Sequence, residues 1–244
     1  MIEAGDMEEE NVKKYTILLV DDQVEAADKL RKGIEDISPD TFNIVILDDI
    51  EAMKEIDRNS YNAYILDIEM PVHNGFELAV KIKEKEKDAL ILFQTEYEDY
   101  SVWGYDYDIF RFISKYKMME MLPNVIKALL EELDRRDVYM EVYNHAGNIV
   151  QIPVFAIQSA YTVKGRLLLI TEWDTFTVHC NMNEFLSDCF MMPFAMPQKG
   201  YIVNLAFIDR LDYEENMIYM KMGYCVKISR RKRAEFYQRY SLGY

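Results

Sequence analysis

Five polar side chains stand at or just after the ends of short apolar runs. Two carboxylates, Asp21 and Asp22, follow the first run, and a third, Asp67, ends a later one. The hydroxyl of Thr95 and the ammonium group of Lys115 follow two further runs. Open α/β sheets carry out their chemistry beyond the carboxyl ends of their strands. If the runs are strands of one such sheet, these side chains are expected to share a site.

Three carboxylates in one site repel each other and are driven towards protonation unless a cation neutralises them. Mg²⁺ prefers oxygen ligands and suits that need. One carboxylate can then attack a phosphoryl group, while an ammonium group and a hydroxyl stabilise the charge on the phosphoryl oxygens. The residue types therefore indicate a metal-dependent phosphoryl acceptor. Each residue alone also has a structural interpretation, such as a helix cap for Asp21 or Asp22, so the hypothesis depends on the whole set.

The segments that could position this set alternate between two periodicities. Apolar runs typical of strands span residues 15–20, 42–47, 62–67, 89–94 and 109–114. Between them, apolar residues recur every three or four positions from Val24 to Ile37, and the segments 75–85 and 122–133 are similar. This alternation predicts a five-stranded parallel sheet flanked by helices. Pro123 fits the last helix only in its first turn, where a missing N–H costs nothing.

The five polar positions occur in the order in which one signalling family carries its phosphorylation site. The match extends to Met70, Pro71 and Gly75 after the third carboxylate, and to Phe112 before the lysine. Residues 15–135 therefore resemble the receiver domain of two-component signalling. The resemblance implies a doubly wound, flavodoxin-like α/β fold.

The resemblance also implies a role for each residue of the site. A sensor histidine kinase would phosphorylate Asp67. A Mg²⁺ ion would be held by Asp21, Asp22, Asp67 and the main-chain carbonyl of Glu69. The phosphate-binding and switch residues would be Thr95, Lys115 and Phe112.

Two positions depart from the family pattern. Glu96 stands where the family has a small residue after the hydroxyl, and Tyr116 stands where it has a proline after the lysine. Glu96 would place an anion beside the phosphoryl group and is expected to alter phosphate lifetime or partner access. Tyr116 replaces the proline that sets the loop after the lysine. A degenerate receiver that folds without accepting phosphate is the alternative, although such a domain usually lacks one of the set.

The distribution of charge indicates two domains. The chain of 244 residues has a formal net charge of −15, which would disfavour nucleic acid as a partner. Residues 1–137 carry 17 Lys and Arg against 33 Asp and Glu, whereas residues 138–244 carry 11 against 10. No apolar run is long enough to cross a membrane and the first residues are acidic, so a cytoplasmic protein without a membrane partner is expected.

The order of segments predicts where each domain lies. An acidic tail occupies residues 1–14, and the charged segment 131–137 is interpreted as a linker. Beyond it, short apolar or alternating runs separated by turn residues predict a mainly antiparallel β domain over residues 136–244. Two short helices are expected there, one near residues 183–190 and one that begins with Ser229 as its N-cap.

The second domain resembles the LytTR-type DNA-binding domain across about residues 140–240. The resemblance is carried by the run YIVNL at 201–205 and by KISRRKRAEF at 227–236. It implies an all-β fold whose loops enter successive major grooves of double-stranded DNA. The DNA-contacting residues would be Lys164, Arg166, Gln198, Lys199, Arg230, Arg231 and Arg233. Gln198 and Gly200 replace a histidine and a serine that are frequent in the family, so site choice is expected to differ.

The two resemblances together predict a response regulator. Phosphorylation of Asp67 would promote a homodimer that binds DNA and regulates transcription, without enzymatic activity beyond slow self-dephosphorylation. The alternative is a receiver coupled to a protein-binding β domain that sequesters a partner, in which case the basic cluster would be a solvated helix face. Salt-dependent binding to DNA distinguishes the two hypotheses.

Overall fold

The computed structural model describes residues 15–96 and 109–241. The chain divides into two compact units, Met1–Glu131 and Glu132–Tyr244. Among the described residues, no helix has both the length and the apolar character that crossing a bilayer requires.

The first unit contains a five-stranded parallel sheet. Its strands are β1 (Tyr15–Val20), β2 (Phe42–Leu47), β3 (Ala63–Asp67), β4 (Ile91–Thr95) and β5 (Arg111–Ser114). Their order in the sheet is β2-β1-β3-β4-β5, which confirms the predicted doubly wound arrangement. The order reverses between β1 and β3, and ligands bind at such a switch point in this class of sheet.

Three helices of this unit are α1 (Val24–Ile37), α2 (Asp49–Arg58) and α3 (Gly75–Lys85). The predicted helical segments are confirmed by α1 and α3, whereas α2 was not among the segments that the apolar period predicted. In α1 the middle of the predicted stripe is buried, at Ala27, Leu30 and Ile34, whereas Val24 and Ile37 at its two ends are exposed. The apolar period therefore located the helix correctly but overestimated the length of its buried face.

The next helix, α4 (Met118–Arg136), begins earlier than the sequence predicted. Pro123 is its sixth residue, so the expectation that this proline lies in the first turn is wrong. A proline there removes the N–H that would bond to the carbonyl of Met119, four residues earlier. Met119 is exposed, so water can replace the missing donor at that carbonyl.

The charged segment 131–137, interpreted as a linker, is mostly helical, and the boundary between the two units falls within it, between Glu131 and Glu132. It continues α4 to Arg136, and Leu133 within it is buried. Glu132 accepts a hydrogen bond from Arg136 Nε at 2.7 Å and also pairs with Arg135. Pairs of opposite charge three and four residues apart stabilise a helix without an apolar stripe, which is why the apolar period failed to detect this turn.

The second unit is mainly antiparallel, as predicted. A seven-stranded sheet has the order β11-β12-β8-β9-β10-β6-β7, and a three-stranded sheet has the order β13-β14-β15. The strands are β6 (Tyr139–Tyr143), β7 (Ile149–Pro153), β8 (Ser159–Val163), β9 (Arg166–Ile170), β10 (Thr175–Val178), β11 (Phe194–Gln198), β12 (Tyr201–Asn204), β13 (Ile208–Asp212), β14 (Met217–Met220) and β15 (Cys225–Lys227). The helices are α5 (Met182–Asp188) and α6 (Arg233–Ser241). Each sheet has its own apolar core, around Phe185 and Phe236 respectively.

One strand and one helix start of this unit need comment. The segment around Pro197 forms β11, and a proline is tolerated there because β11 is an edge strand. The expectation that Ser229 is a helix N-cap is wrong, because the helix begins four residues after it; the N–H of Ser229 bonds to the carbonyl of Pro197 at 2.9 Å. The carbonyl of Ser229 accepts from Lys232 N at 3.0 Å in a turn, and α6 begins only at Arg233.

We predict that Gly75→Ala destabilises the first unit by about 1–3 kcal/mol, the usual cost of overpacking. A Cβ at position 75 would lie 2.4 Å from the backbone carbonyl oxygen of Asp67, which cannot move without displacing the end of β3. Urea unfolding measures the change. The control is Gly33→Ala, whose Cβ would meet side-chain atoms and no backbone: Leu122 Cδ2 at 2.8 Å and Met119 Sδ at 3.7 Å. This control gains helix propensity and is expected to stay within about 1 kcal/mol of the unsubstituted protein. Equal losses in both variants would contradict the prediction.

Candidate functional site

The three predicted carboxylates lie together at the carboxyl edge of the first sheet. Asp67 is the last residue of β3, and Asp21 and Asp22 follow the neighbouring strand β1. One carboxylate oxygen from each of the three residues lies within 4.8 Å of the other two. Asp21 and Asp67 are buried and Asp22 is exposed. The predicted acidic cluster therefore forms, with one side open to solvent.

Lys115 connects this cluster to the far side of the sheet. Its Nζ donates to Asp67 Oδ2 at 2.7 Å and to Asp21 Oδ2 at 3.1 Å. The residue follows β5, and its backbone N–H bonds to the carbonyl of Thr95 at the end of β4, at 2.8 Å. Thr95 itself is buried. All five sequence-predicted positions are therefore at one edge of the sheet.

Burial and charge act in opposite directions on the bonded pair. Burial raises the pKa of Asp67, and the hydrogen bond from Lys115 only partly offsets it. For Lys115, burial alone would lower the pKa, but the carboxylates of Asp67 and Asp21 outweigh it and raise the pKa. One ammonium group faces three carboxylates, so the ionised cluster carries excess negative charge. Oxygen donors with excess negative charge, one of them open to solvent, fit a hard divalent cation such as Mg²⁺.

The loop between β3 and α3 borders the cluster. The backbone N–H of Glu69 donates to Asp67 Oδ1 at 3.4 Å. A groove of about 470 Å³ opens beside this loop. Its lining consists of Asp22, Ile68, Glu69, Met70, Pro71, Asn74 and Phe76. The groove gives a molecule from solvent a way to approach the exposed side of the carboxylates.

Phe112, at the predicted aromatic switch position, is half-buried on β5. Its ring centroid lies 5.7 Å from that of Phe93, which in turn lies 4.9 Å from that of Phe76. The three rings form a continuous contact from β5 through β4 to α3. A change in the position of Phe112 would therefore alter its packing against Phe93 and, through Phe93, the packing of Phe76.

Asp49 is a contributor to the site region that sequence analysis missed. Its carboxylate is buried and accepts backbone hydrogen bonds from Val72 at 2.9 Å and His73 at 2.7 Å. Burial would raise the pKa of Asp49, but the hydrogen bonds from His73 and Val72 and the first amides of α2 outweigh it and lower the pKa. Its position after a strand suggests only a helix cap, because the sequence gives no sign of the bonds to a distant loop.

The two residues that depart from the family pattern contact each other. Tyr116 Oη donates to Glu96 Oε2 at 3.2 Å, and both side chains are exposed. An exposed contact of this kind contributes little to stability. It does hold a carboxylate next to Thr95, where the sequence placed it, and its effect on phosphate lifetime stays a prediction.

The predicted DNA-contacting residues gather at one end of the second unit, which we call the hairpin end. The β8–β9 hairpin turns at Lys164 and Gly165, both with positive φ, as a two-residue hairpin turn requires. The β11–β12 hairpin turns at Lys199 and Gly200. The N–H of Thr162 bonds to the carbonyl of Gly200 at 3.2 Å. The tips of the two hairpins are therefore neighbours.

A third segment, the turn that precedes α6, also lies at the hairpin end. Since Ser229 bonds to Pro197, next to Gln198 on β11, the turn that carries Arg230 and Arg231 lies beside the second hairpin. Arg233 follows as the first residue of α6. Exposed positive side chains of the set are Lys164, Arg166, Lys199, Arg230, Arg231 and Arg233. Residues from three separate parts of the sequence thus form one basic surface.

Comparison with known proteins gives a family match for each unit. The response regulator receiver domain matches residues 17–127, and the LytTr DNA-binding domain matches residues 147–241. The chain is similar to the sensory transduction protein LytT of Bacillus anthracis, with 24% identity over 235 residues, covering 88% of this chain and 94% of that protein.

Among solved structures, each unit again has a similar counterpart. The response regulatory domain of protein mrkE from Klebsiella pneumoniae is 24% identical, with a TM-score of 0.45, and the match covers 49% of this chain and 98% of that one. A LytTr DNA-binding domain from Bacillus cereus is 18% identical, with a TM-score of 0.38, and the match covers 43% of this chain and 97% of that one.

We predict that Lys115→Met destabilises the first unit by about 3–5 kcal/mol at neutral pH in the absence of divalent cations. The substitution leaves the buried carboxylates of Asp21 and Asp67 without their ammonium partner, which is more costly than losing a complete pair. Urea unfolding in a chelating buffer measures the loss. The same substitution in an Asp67→Asn background is expected to cost less, since one of the two buried charges is already gone. An equal cost in both backgrounds would mean that the ion pair does not account for the effect.

Proposed function

The chain is a response regulator that joins a receiver domain to a LytTr DNA-binding domain, and we propose that phosphorylation of Asp67 controls its binding to DNA. The phosphoryl donor is a sensor histidine kinase, and the phosphorylated form binds DNA as a homodimer to regulate transcription. Neither domain belongs to a classical enzyme family. The observation that carries the proposal is the cluster of three carboxylates, of which Asp67 is held by Lys115 at 2.7 Å.

The proposed chemical step is a transfer of one phosphoryl group. A carboxylate oxygen of Asp67 forms a bond to phosphorus, while the bond between phosphorus and the donor atom breaks and the donor leaves with the electron pair. Lys115 Nζ, already bonded to an oxygen of Asp67, is placed to stabilise negative charge on the phosphoryl oxygens. Thr95 lies next to it at the end of β4 and supplies a hydroxyl for the same purpose.

Asp21, Asp22, Asp67 and the carbonyl of Glu69 are the residues that would hold Mg²⁺. The ion, when bound, supplies positive charge that offsets repulsion between the carboxylates and the incoming phosphate. The exposed side of Asp22 and the adjoining groove leave this region accessible from solvent.

The added phosphoryl charge provides a physical basis for switching. Lys115 is bonded to both Asp67 and Asp21, so new phosphoryl oxygens compete for its donors. We expect Thr95 to move towards the phosphoryl group, and Phe112 to repack against Phe93. A shift of this kind biases a dimerisation surface through new charge-assisted hydrogen bonds.

For the second domain, we propose that the hairpin end is the DNA-binding surface. Its exposed lysines and arginines can neutralise phosphates, and arginine can also bind guanine through two hydrogen bonds. Gln198 is half-buried between them on β11 and can hydrogen-bond to adenine. A dimer would present two such surfaces, and the second surface then binds at a high effective concentration.

We predict that the full-length protein, incubated with Mg²⁺ and a small acyl phosphate, gains the mass of one phosphoryl group that hydroxylamine removes. Asp67→Asn should not gain it, because an amide is a poor nucleophile. Intact-mass spectrometry measures both. The control is Asp57→Asn, which removes an exposed aspartate of α2 that pairs with Lys81, and it should be phosphorylated normally. Full phosphorylation of the Asp67→Asn variant would refute the assignment of the acceptor.

We predict that Arg231→Ala weakens binding of the phosphorylated protein to a duplex selected from a random pool by about 1–3 kcal/mol. The slope of log affinity against log salt should fall by about 0.9 for each DNA phosphate that the variant no longer neutralises. Fluorescence anisotropy over a series of salt concentrations measures both quantities.

The matched control is Lys221→Ala, which removes the same charge. Lys221 is exposed and follows β14, where its N–H bonds to the carbonyl of Phe207, so it lies at the other end of that strand from the hairpin end. The affinity and salt slope of this variant should be unchanged. If no duplex binds in a salt-dependent way, the DNA-binding proposal fails and the partner-sequestering alternative is favoured.

A further inference from the structure

Asp49 reaches from one loop of the receiver domain to another. It is the first residue of α2, at the carboxyl end of β2. Its Oδ2 accepts hydrogen bonds from the N–H groups of both Val72 and His73, in the loop between β3 and α3. The exposed fraction of Asp49 is only 3%. A buried carboxylate that accepts two backbone bonds is a rigid attachment point, because leaving those groups unpaired is costly.

Backbone hydrogen bonds fix both ends of the β3–α3 loop. At its start, Ile68 N bonds to the carbonyl of Gln94 at 3.1 Å, and at its end Gly75 N bonds to the carbonyl of Ile68 at 3.1 Å. Within the loop, Met70 packs against the apolar core, whereas Val72 is 58% exposed and does not. The bonds to Asp49 therefore hold the part of the loop that core packing does not.

The position of this loop matters for the acidic cluster. The loop contains Glu69, whose main-chain carbonyl is the proposed fourth ligand, and Met70 and Pro71, which line the groove beside Asp22. A carbonyl ligand has no rotatable side chain of its own, so its direction is set entirely by the backbone that carries it.

We propose that Asp49 is a positioning residue for the metal and phosphoryl site, and that it acts by holding the β3–α3 loop so that the carbonyl of Glu69 faces the acidic cluster. This inference rests on the proposed function of that cluster. Residues that orient metal ligands from outside typically change metal affinity by roughly tenfold to a hundredfold when they are replaced. Asp49 does not touch the carboxylates itself; it acts through the backbone of the loop.

The chain offers a closely matched control in the preceding residue. Asp48 is the N-cap of the same helix, and its Oδ1 accepts from the N–H of Glu51 at 2.8 Å. Both aspartates accept backbone hydrogen bonds near the start of α2. Asp48 bonds within its own helix, whereas Asp49 bonds to the loop. Asp48→Ala therefore destabilises α2 without removing a bond to the loop.

The experiment compares full-length wild-type, Asp49→Ala, Asp49→Asn and Asp48→Ala proteins. Isothermal titration with Mg²⁺ gives the dissociation constant, and the rate of phosphorylation by a small acyl phosphate at increasing Mg²⁺ gives the half-maximal concentration. Urea unfolding of each variant reports its stability separately. Asp49→Asn keeps an uncharged oxygen acceptor of the same size, so it provides a measurement even if Asp49→Ala does not fold.

We expect Asp49→Ala to weaken Mg²⁺ binding roughly tenfold or more and to raise the half-maximal Mg²⁺ concentration to match, with a smaller change in the maximal rate. Asp49→Asn should be intermediate, and Asp48→Ala should bind Mg²⁺ as the wild type does. The inference is overturned if the Asp49 variants keep wild-type affinity, or if Asp48→Ala loses as much affinity as they do. A wild-type protein that neither binds Mg²⁺ nor accepts phosphate would instead refute the proposed function, and the inference with it.

Discussion

The ammonium group of Lys115, bonded to the buried carboxylates of Asp67 and Asp21, is the interaction on which the rest of the receiver site depends. Two buried carboxylates without a cation would be destabilising or would take up protons. Asp67 ends β3, whereas Asp21 follows β1 and Lys115 follows β5, and β4 lies between β3 and β5 in the sheet. Only a correctly ordered parallel sheet brings these strand ends within the reach of one lysine.

This arrangement leaves the ionised cluster with excess negative charge. Lys115 offsets part of the charge of three carboxylates, and the exposed Asp22 leaves a side open for a cation. The surrounding backbone is fitted closely to the same point. Gly75 approaches the carbonyl of Asp67 so tightly that a side chain has no room, and Asp49 holds the loop that runs between them. The excess negative charge therefore favours a cation at this site, and the closely packed backbone fixes the position of the carboxylates.

In the second domain the clustered side chains are positively charged, and they are exposed to solvent instead of buried. Lys164, Lys199 and Arg231 are exposed at the hairpin end, where solvent screens their mutual repulsion and a large anion can reach all of them. Pairing of β12 with β8 and the bond between Ser229 and Pro197 bring their segments together. The stacked rings of Tyr161 and Tyr201, 5.6 Å apart, lie across the same pair of strands. A localised basic surface is therefore compatible with the negative net charge of the whole chain.

The sequence by itself determined the features that depend on local pattern. Apolar runs gave the strands of the first sheet within two residues at each end, and Asp67 and Lys115 were found because strand ends in a parallel sheet must meet. Tertiary structure decided what depends on a distant partner. Ser229 pairs with Pro197 instead of capping a helix, an edge position admits Pro197 into a strand, and Asp49 becomes part of the receiver site region only because Val72 and His73 fold back to it. A hydrogen bond between residues far apart in sequence leaves no periodicity along the chain, and for that reason these features could be recognised only in the folded protein.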